Sequence, residues 1–303
     1  RLRGGSWHGV PMPEAPSQVW FITGASRGLG RVIAEDALRR GHRVAVTARD
    51  VSTLADLTPA DRALALPLDV GDRAAVFRAV DAAASHFGRL DVVVNNAGYG
   101  LFGPLETIGE AELDAQVDTN VYGPLRVCQA AVPHLRRAGG GRIFQMSSIA
   151  GFVGSPGGAP YNLSKFALEG LSEAIAQELA PSNIYVTIVE PGGFRTDFAD
   201  ERSVRFATKG TPEQLAAVKQ RLSSFSGKQL GDPREAARVI VDCAALSDPP
   251  MRLILGEDAL LRFQSKLDFL QDELESFGYL SRTKPLPGAA SLGLPPFNRP
   301  WRK

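Results

Sequence analysis

Short β-branched or apolar runs at residues 19–23, 43–47, 63–68, 90–95, 142–147 and 185–190 alternate with amphipathic stretches of helical length, and this alternation narrows the fold more than any other feature. The runs are continuously apolar, which means that both faces of each strand are covered. Helical stretches at 30–39, 72–87, 110–137 and 160–180 lie between them, giving a repeating β–α order along the chain. A chain with that order folds as a doubly wound α/β domain, a parallel sheet between two helical layers in an αβα sandwich.

Two helices are longer than the rest. Leu113, Val117, Val121 and Leu125 make an apolar stripe on the first, and Phe166, Leu171, Ala174, Ile175 and Leu179 on the second. Packing against the sheet explains these stripes, and their small residues also leave room for a second subunit. After Pro191 the pattern changes: 192–210 reads as loop, 212–225 and 233–246 as helices, 252–255 as a last strand, 256–261 as a link and 262–277 as an amphipathic helix. The expected organisation is a flexible leader at 1–17, a single domain at 18–278 with a lid at about 194–228, and an extended Pro/Gly-rich tail at 279–303.

Lys and Arg total 34 against 33 Asp and Glu, so the chain has no large net field with which to seek nucleic acid or an anionic membrane. No apolar run approaches the roughly 18 residues of a membrane span. Cys128 and Cys243 both fall in helical patterns, as reduced core cysteines of a cytoplasmic protein would. No metal site is expected.

The first strand runs into Thr23-Gly24-Ala25-Ser26-Arg27-Gly28-Leu29-Gly30, which opens a helix. Glycines there allow a sharp turn and close approach of a pyrophosphate, which the free N–H groups of the first helical turn would meet. The expected cofactor contacts in this turn are Gly24, Ser26, Arg27, Gly28, Leu29 and Gly30. At the end of the second strand the uncharged Ala48 precedes Arg49, where a binder of NAD would carry a carboxylate for the ribose hydroxyls. Arg27 and Arg49 together suit a 2′-phosphate, so NADP(H) is the expected cofactor. Asp50 is expected to cap the following turn. Asp69, beside Val70, either accepts from an adenine amino group or caps the helix beginning near Asp72. Asn96, Ala97 and Gly98 follow Asn95 at the fourth strand end, where small residues admit the cofactor and an Asn can tie strand ends together.

Tyr161 and Lys165 stand four apart at a helix start and share one face. A phenol exchanges protons near neutral pH only with help, and an adjacent ammonium supplies it. Ser148, at the end of the fifth strand, can add a second donor toward the same substrate oxygen. Asn120 would lie near Lys165 and orient it, directly or through water. Beyond the sixth strand, Pro191, Gly192, Phe194 and Thr196 turn over the crevice, with Thr196 suited to a nicotinamide carboxamide. Taken singly each residue has a structural reading, but strand ends and helix starts meet at one crevice in an open α/β sheet.

This ordered set resembles the classical short-chain dehydrogenase/reductase family. Residues 23–30 are similar to its T-G-x-x-x-G-x-G loop, 95–98 to its N-N-A-G segment, Tyr161 and Lys165 to its Y-x-x-x-K pair, and 191–196 to its P-G turn. Ser148 and Asn120 stand in the places of the other two members of its Asn-Ser-Tyr-Lys set. The resemblance implies a seven-stranded Rossmann-like sheet, hydride transfer at C4 of nicotinamide, and a homodimer or homotetramer built through the two long helices. Segments 99–106, 151–156 and 194–206 should border the substrate, bringing Leu101, Phe102, Leu105, Phe152, Val153, Phe194, Phe198 and Phe206. That lining suits a small apolar ketone, aldehyde or alcohol. The competing reading is a catalytically silent dinucleotide sensor or scaffold on the same fold.

Overall fold

The computed structural model describes residues 17–57, 61–196, 203–225, 227–282 and 297–301. A seven-stranded sheet in the order β3-β2-β1-β4-β6-β7-β9 forms its centre. Its strands are β1 (Val19–Ile22), β2 (Arg43–Ala48), β3 (Ala63–Pro67), β4 (Val92–Asn95), β6 (Gly141–Met146), β7 (Ile184–Pro191) and β9 (Arg252–Leu255). All neighbours pair parallel, with Trp20 of β1 opposite both Val44 and Val92. The chain winds outward from β1 to β3 and then returns to continue from β4 on the other side. That reversal opens a crevice beyond the carboxyl ends of β1 and β4.

Two cores sandwich the sheet. On one face, Val76, Val80 and Ala83 of α2 (Arg73–Phe87), Val127 and Ala131 of α4 (Gly123–Arg137) and Ala176 and Leu179 of α5 (Ala159–Leu179) meet Phe21, Val93 and Ile143. On the other, Ile33, Ala34 and Ala37 of α1 (Gly28–Arg39) and Ala236, Ala237 and Ile240 of α7 (Pro233–Ala244) meet Trp20, Ile22 and Phe144. All four residues of β1 are buried, as its unbroken apolar run requires. Local signals set the helix ends: the Asp72 side chain accepts from the Ala75 N–H to start α2, and Gly88 at φ 80 ends it.

Three elements differ from the sequence reading. The single helix expected over 110–137 is α3 (Glu110–Val117), a π-helical turn at Asp118–Tyr122, and then α4. Pro124, which has no N–H to donate back into that turn, stands at the start of α4. The loop expected over 192–210 contains β8 (Val204–Phe206), which pairs parallel with β5 (Gly100–Phe102) in a separate two-stranded sheet. The link expected over 256–261 is helical from its second residue, within α8 (Glu257–Phe277). Gly256 makes the turn at φ 97, and Glu257 and Asp258 favour the positive end of the helix dipole. The helix α6 (Pro212–Phe225) follows β8.

From the tail, Trp301 packs edge-on against Tyr185 with ring centroids 5.2 Å apart, and Arg299 pairs with Asp248 at 3.2 Å. Residues 1–16 of the expected leader, 283–296 and 302–303 of the expected tail, and 197–202 and 226 of the expected lid lie outside the described residues.

Candidate functional site

A cleft of about 560 Å³ lies at the carboxyl ends of the strands, and each expected cofactor residue from Gly24 to Thr196 except Gly30 borders it. Gly30 stands just behind the glycine turn. A Cβ on Gly24, which has φ +66, would come 2.9 Å from the Ala97 Cα, and one on Gly30 would come 2.3 Å from Asn96 Nδ2. Neither position has room for a side chain, so the turn must be glycine to close. Asn96 holds it shut: its Nδ2 donates to the Thr23 carbonyl at 3.0 Å and the Gly24 carbonyl at 2.9 Å. The Thr23 hydroxyl in turn accepts from the N–H groups of Asn96 and Ala97, both at 3.0 Å. Asn95 is spent in the core, donating to Gln145 Oε1 at 2.9 Å. Arg27, at the start of α1, makes no side-chain capping bond to that helix, and the first residues of α1, Gly28 and Leu29, border the cleft.

The cations expected at the far end occupy unequal settings. Arg49 is exposed at the cleft rim, whereas Arg27 donates from Nε and Nη2 to Ser203 Oγ at 3.2 and 3.1 Å. Asp50 accepts from the N–H and hydroxyl of Ser52, a local turn that lowers its pKa. Asp72, not Asp69, caps α2; Asp69 accepts from the Gly71 N–H at 2.9 Å and borders the cleft beside Val70.

Tyr161 and Lys165 lie on the first two turns of α5 and both are nearly buried, at 9% and 7% exposure. The Lys165 Nζ stands 5.7 Å from the Tyr161 ring centroid and donates to the Met146 carbonyl at 2.7 Å. Burial pushes the Tyr161 phenol up to about 12, opposed by its hydrogen bond with Ser148. Burial also brings the Lys165 ammonium down to about 8, opposed by the charge of Glu169. Ser148 lies two residues beyond β6 at the start of the turn Ile149–Gly151, and its hydroxyl accepts from the Ala150 N–H at 3.1 Å.

The direct hydrogen bonds of Asn120 go elsewhere than to Lys165. Its Oδ1 accepts from the Tyr99 N–H at 3.1 Å, and its Nδ2 donates to the Tyr99 carbonyl at 2.8 Å and to Ser164 Oγ at 3.0 Å. The π-helical turn thus aims Asn120 inward, where it clamps the Tyr99 loop to α5. Tyr99 itself borders the cleft, with the Arg205 guanidinium 4.2 Å above its ring. Both residues lie in segments expected to border the substrate, 99–106 and 194–206, but the sequence singled out neither for a role of its own.

Pro191, Gly192, Phe194 and Thr196 leave β7 along the cleft. The Gly192 N–H donates to the Leu255 carbonyl and the Gly193 N–H to Asp258 Oδ2, each at 2.8 Å. Arg195 donates to the Gln229 carbonyl at 3.2 Å, a loop contact. Of the expected substrate lining, Phe102 packs 5.5 Å from the Tyr161 ring, in a cluster with Val204, Phe206, Val218 and Leu222. Phe152 instead stacks on Phe263 at 4.2 Å, and Leu105 is 77% exposed. Phe198 falls outside the described residues.

Behind Lys165, Glu169 of α5 and Glu190 of β7 form a buried acidic pair. Glu190 is fully buried and Glu169 nearly so, and both contact Arg252, which also reaches Glu173 at 2.5 Å. Ser147 donates to Glu169. Burial of two adjacent carboxyls around one guanidinium raises the pKa of both. Among the described residues no group of His, Cys, Asp and Glu is arranged to hold a metal ion.

The family profile described as short chain dehydrogenase matches residues 18–205. The chain is 40% identical over 249 residues to Oxidoreductase BOA17 of Botryotinia fuckeliana, covering 80% of this chain and 90% of that protein. It is 34% identical over 262 residues to the 3-ketodihydrosphingosine reductase of Bacteroides thetaiotaomicron, covering 86% and 96%. A solved short-chain dehydrogenase from Streptomyces avermitilis matches the fold with a TM-score of 0.80 at 37% identity, covering 88% of this chain and 98% of that one. With the profile, the relatives and the seven-stranded sheet in agreement, the chain belongs to the short-chain dehydrogenase/reductase family of oxidoreductases.

Proposed function

We propose that this chain is an NADP(H)-dependent oxidoreductase that interconverts an apolar ketone or aldehyde and its alcohol, with Tyr161 as general acid and base. The observation that carries the reading is the pairing of a buried phenol with a buried ammonium 5.7 Å from its ring centroid, on the wall of a cleft whose other end is a glycine turn.

The residues present fit a dinucleotide. Gly24 and Gly30 leave backbone where any Cβ would collide, and the uncapped first turn of α1 offers N–H donors to a pyrophosphate. Arg27 and Arg49 suit a 2′-phosphate, and Asp69 can accept from an adenine amino group. Thr196 would hold the carboxamide. The bound cofactor supplies the hydride.

The remaining chemistry belongs to the chain. At neutral pH Tyr161 carries its proton and Lys165 its charge, the state required to hand a proton to a carbonyl oxygen becoming an alkoxide. Ser148 gives a second hydrogen bond to that oxygen. The Lys165 ammonium stabilises the tyrosinate left behind, and the Met146 carbonyl fixes the ammonium in place. Asn120 acts one step removed, holding the Tyr99 loop against α5. In the oxidising direction the same groups run in reverse.

The apolar cluster of Phe102, Val204, Phe206, Val218 and Leu222 beside Tyr161 supports an apolar substrate, as does similarity to a reductase named for 3-ketodihydrosphingosine. Exposed Tyr122, Leu163 and Phe166 on the two long helical segments support a homodimer or homotetramer through those faces, and the two buried free cysteines suit the cytoplasm. The reading is tested by following oxidation of NADPH and of NADH against a panel of apolar ketones and aldehydes. Turnover preferring NADPH is expected. Stoichiometric binding of NADPH with no turnover across the panel would favour a silent sensor instead.

A further inference from the structure

The helix α8 runs for 21 residues, yet Ala259 is its only buried residue. Along it stand Leu260, Phe263, Leu267, Leu270, Leu274 and Phe277, spaced 3-4-3-4-3, the a and d positions of a heptad. Phe263 anchors the base of the helix by stacking on Phe152, but Leu260, Leu267, Leu270, Leu274 and Phe277 are 42%, 41%, 44%, 66% and 52% exposed. Among the described residues nothing covers this apolar stripe, which is held along one line over the length of the helix.

We propose that the α8 seam binds α8 of a second copy of this chain, antiparallel, as a two-stranded coiled coil. In that register the stripe is its own complement: Leu260 meets Phe277 of the partner subunit, Phe263 meets Leu274 of the partner subunit, and Leu267 meets Leu270 of the partner subunit. Each phenylalanine then faces a leucine. The flanks agree as well. Lys266 and Glu273 share the g position, and antiparallel pairing sets g against g, so Lys266 faces Glu273 of the partner subunit twice about the two-fold axis. Gln264 and Gln271 share the e position and face each other on the opposite flank.

A parallel pair would set Lys266 against the uncharged Gln271 and bring both folded bodies to the same end. A lipid surface suits the helix poorly, because Glu257, Asp258, Asp268, Asp272, Glu273 and Glu275 outnumber Arg262 and Lys266. This contact is separate from the faces of α4 and α5, and it does not depend on the proposed reaction.

The test is sedimentation equilibrium of the full chain from about 1 to 50 μM, a range that brackets typical micromolar self-association. The Leu267→Glu/Leu270→Glu variant should show half the mass of the wild type, with unchanged helicity by circular dichroism and unchanged cofactor binding. Lys266→Glu alone should weaken the assembly at least about fivefold, by setting like charges opposite each other, and Lys266→Glu/Glu273→Lys should restore it. Equal masses for the wild type and the leucine variant would overturn the proposal, as would failure of the double charge reversal to improve on the single one. Unchanged mass with pelleting on phosphatidylcholine or phosphatidylserine vesicles would overturn it in favour of a lipid surface.

Discussion

The Lys165 ammonium donates to the Met146 carbonyl at 2.7 Å, so the side chain one turn beyond Tyr161 is pinned to the end of β6. That pin carries the charge that the proposed proton transfer needs. Replacing Lys165 with Met keeps the side-chain length and removes the donor. We expect kcat for carbonyl reduction to fall by about 10²–10⁴-fold, the range for loss of general acid–base assistance. In the wild type the rate should decline as pH rises past about 8, where Lys165 gives up its proton. A pH profile of kcat checks both statements.

Arg27 and Arg49 should matter to one cofactor and not the other. For Arg49→Ala and Arg27→Ala, KM for NADPH is expected to rise about 10-fold or more, the cost of losing a charge-assisted bond to phosphate, while KM for NADH changes little. The Arg27 substitution also frees Ser203, so its effect should be the broader of the two. Initial-rate measurements with both cofactors separate these outcomes.

Asn96→Ala removes the donors to the Thr23 and Gly24 carbonyls. Unmet backbone acceptors cost about 1–3 kcal/mol, and the loss should appear in denaturant unfolding. Because these bonds hold the glycine turn closed, the dissociation constant for the cofactor should rise along with the loss of stability.

Much of this architecture was legible before the structure. Continuous apolar runs define the sheet because burial on both faces leaves no alternation, and the glycine turn is legible because sterics allow nothing else at Gly24 and Gly30. The strands β5 and β8 were not legible: each has three residues, too few for a period, and they exist because tertiary contact pairs them. The π-helical turn was hidden for a related reason, since the apolar stripe of 110–137 continues through it. Glu169, Glu190 and Arg252 gave no local signal, because only the pairing of β7 with β9 brings them together beside α5.

That buried acidic pair makes stability depend on pH. The folded pKa of Glu190 is raised to about 8 from 4.5, so between these values the folded chain keeps a proton that the unfolded chain releases. Stability is therefore greatest at the acid end of the window and falls as pH rises through it. Glu190→Gln, neutral throughout, should flatten the dependence. Thermal unfolding midpoints from about pH 5 to pH 8 decide the matter, and a wild-type midpoint that rises with pH contradicts the account.

The most direct test is Tyr161→Phe, which removes one oxygen and leaves the ring that packs against Phe102. With a ketone that the wild type reduces, the account predicts an unchanged dissociation constant for NADPH and a kcat lower by about 10²-fold or more. A Tyr161→Phe protein that binds NADPH and turns over at the wild-type rate would contradict it.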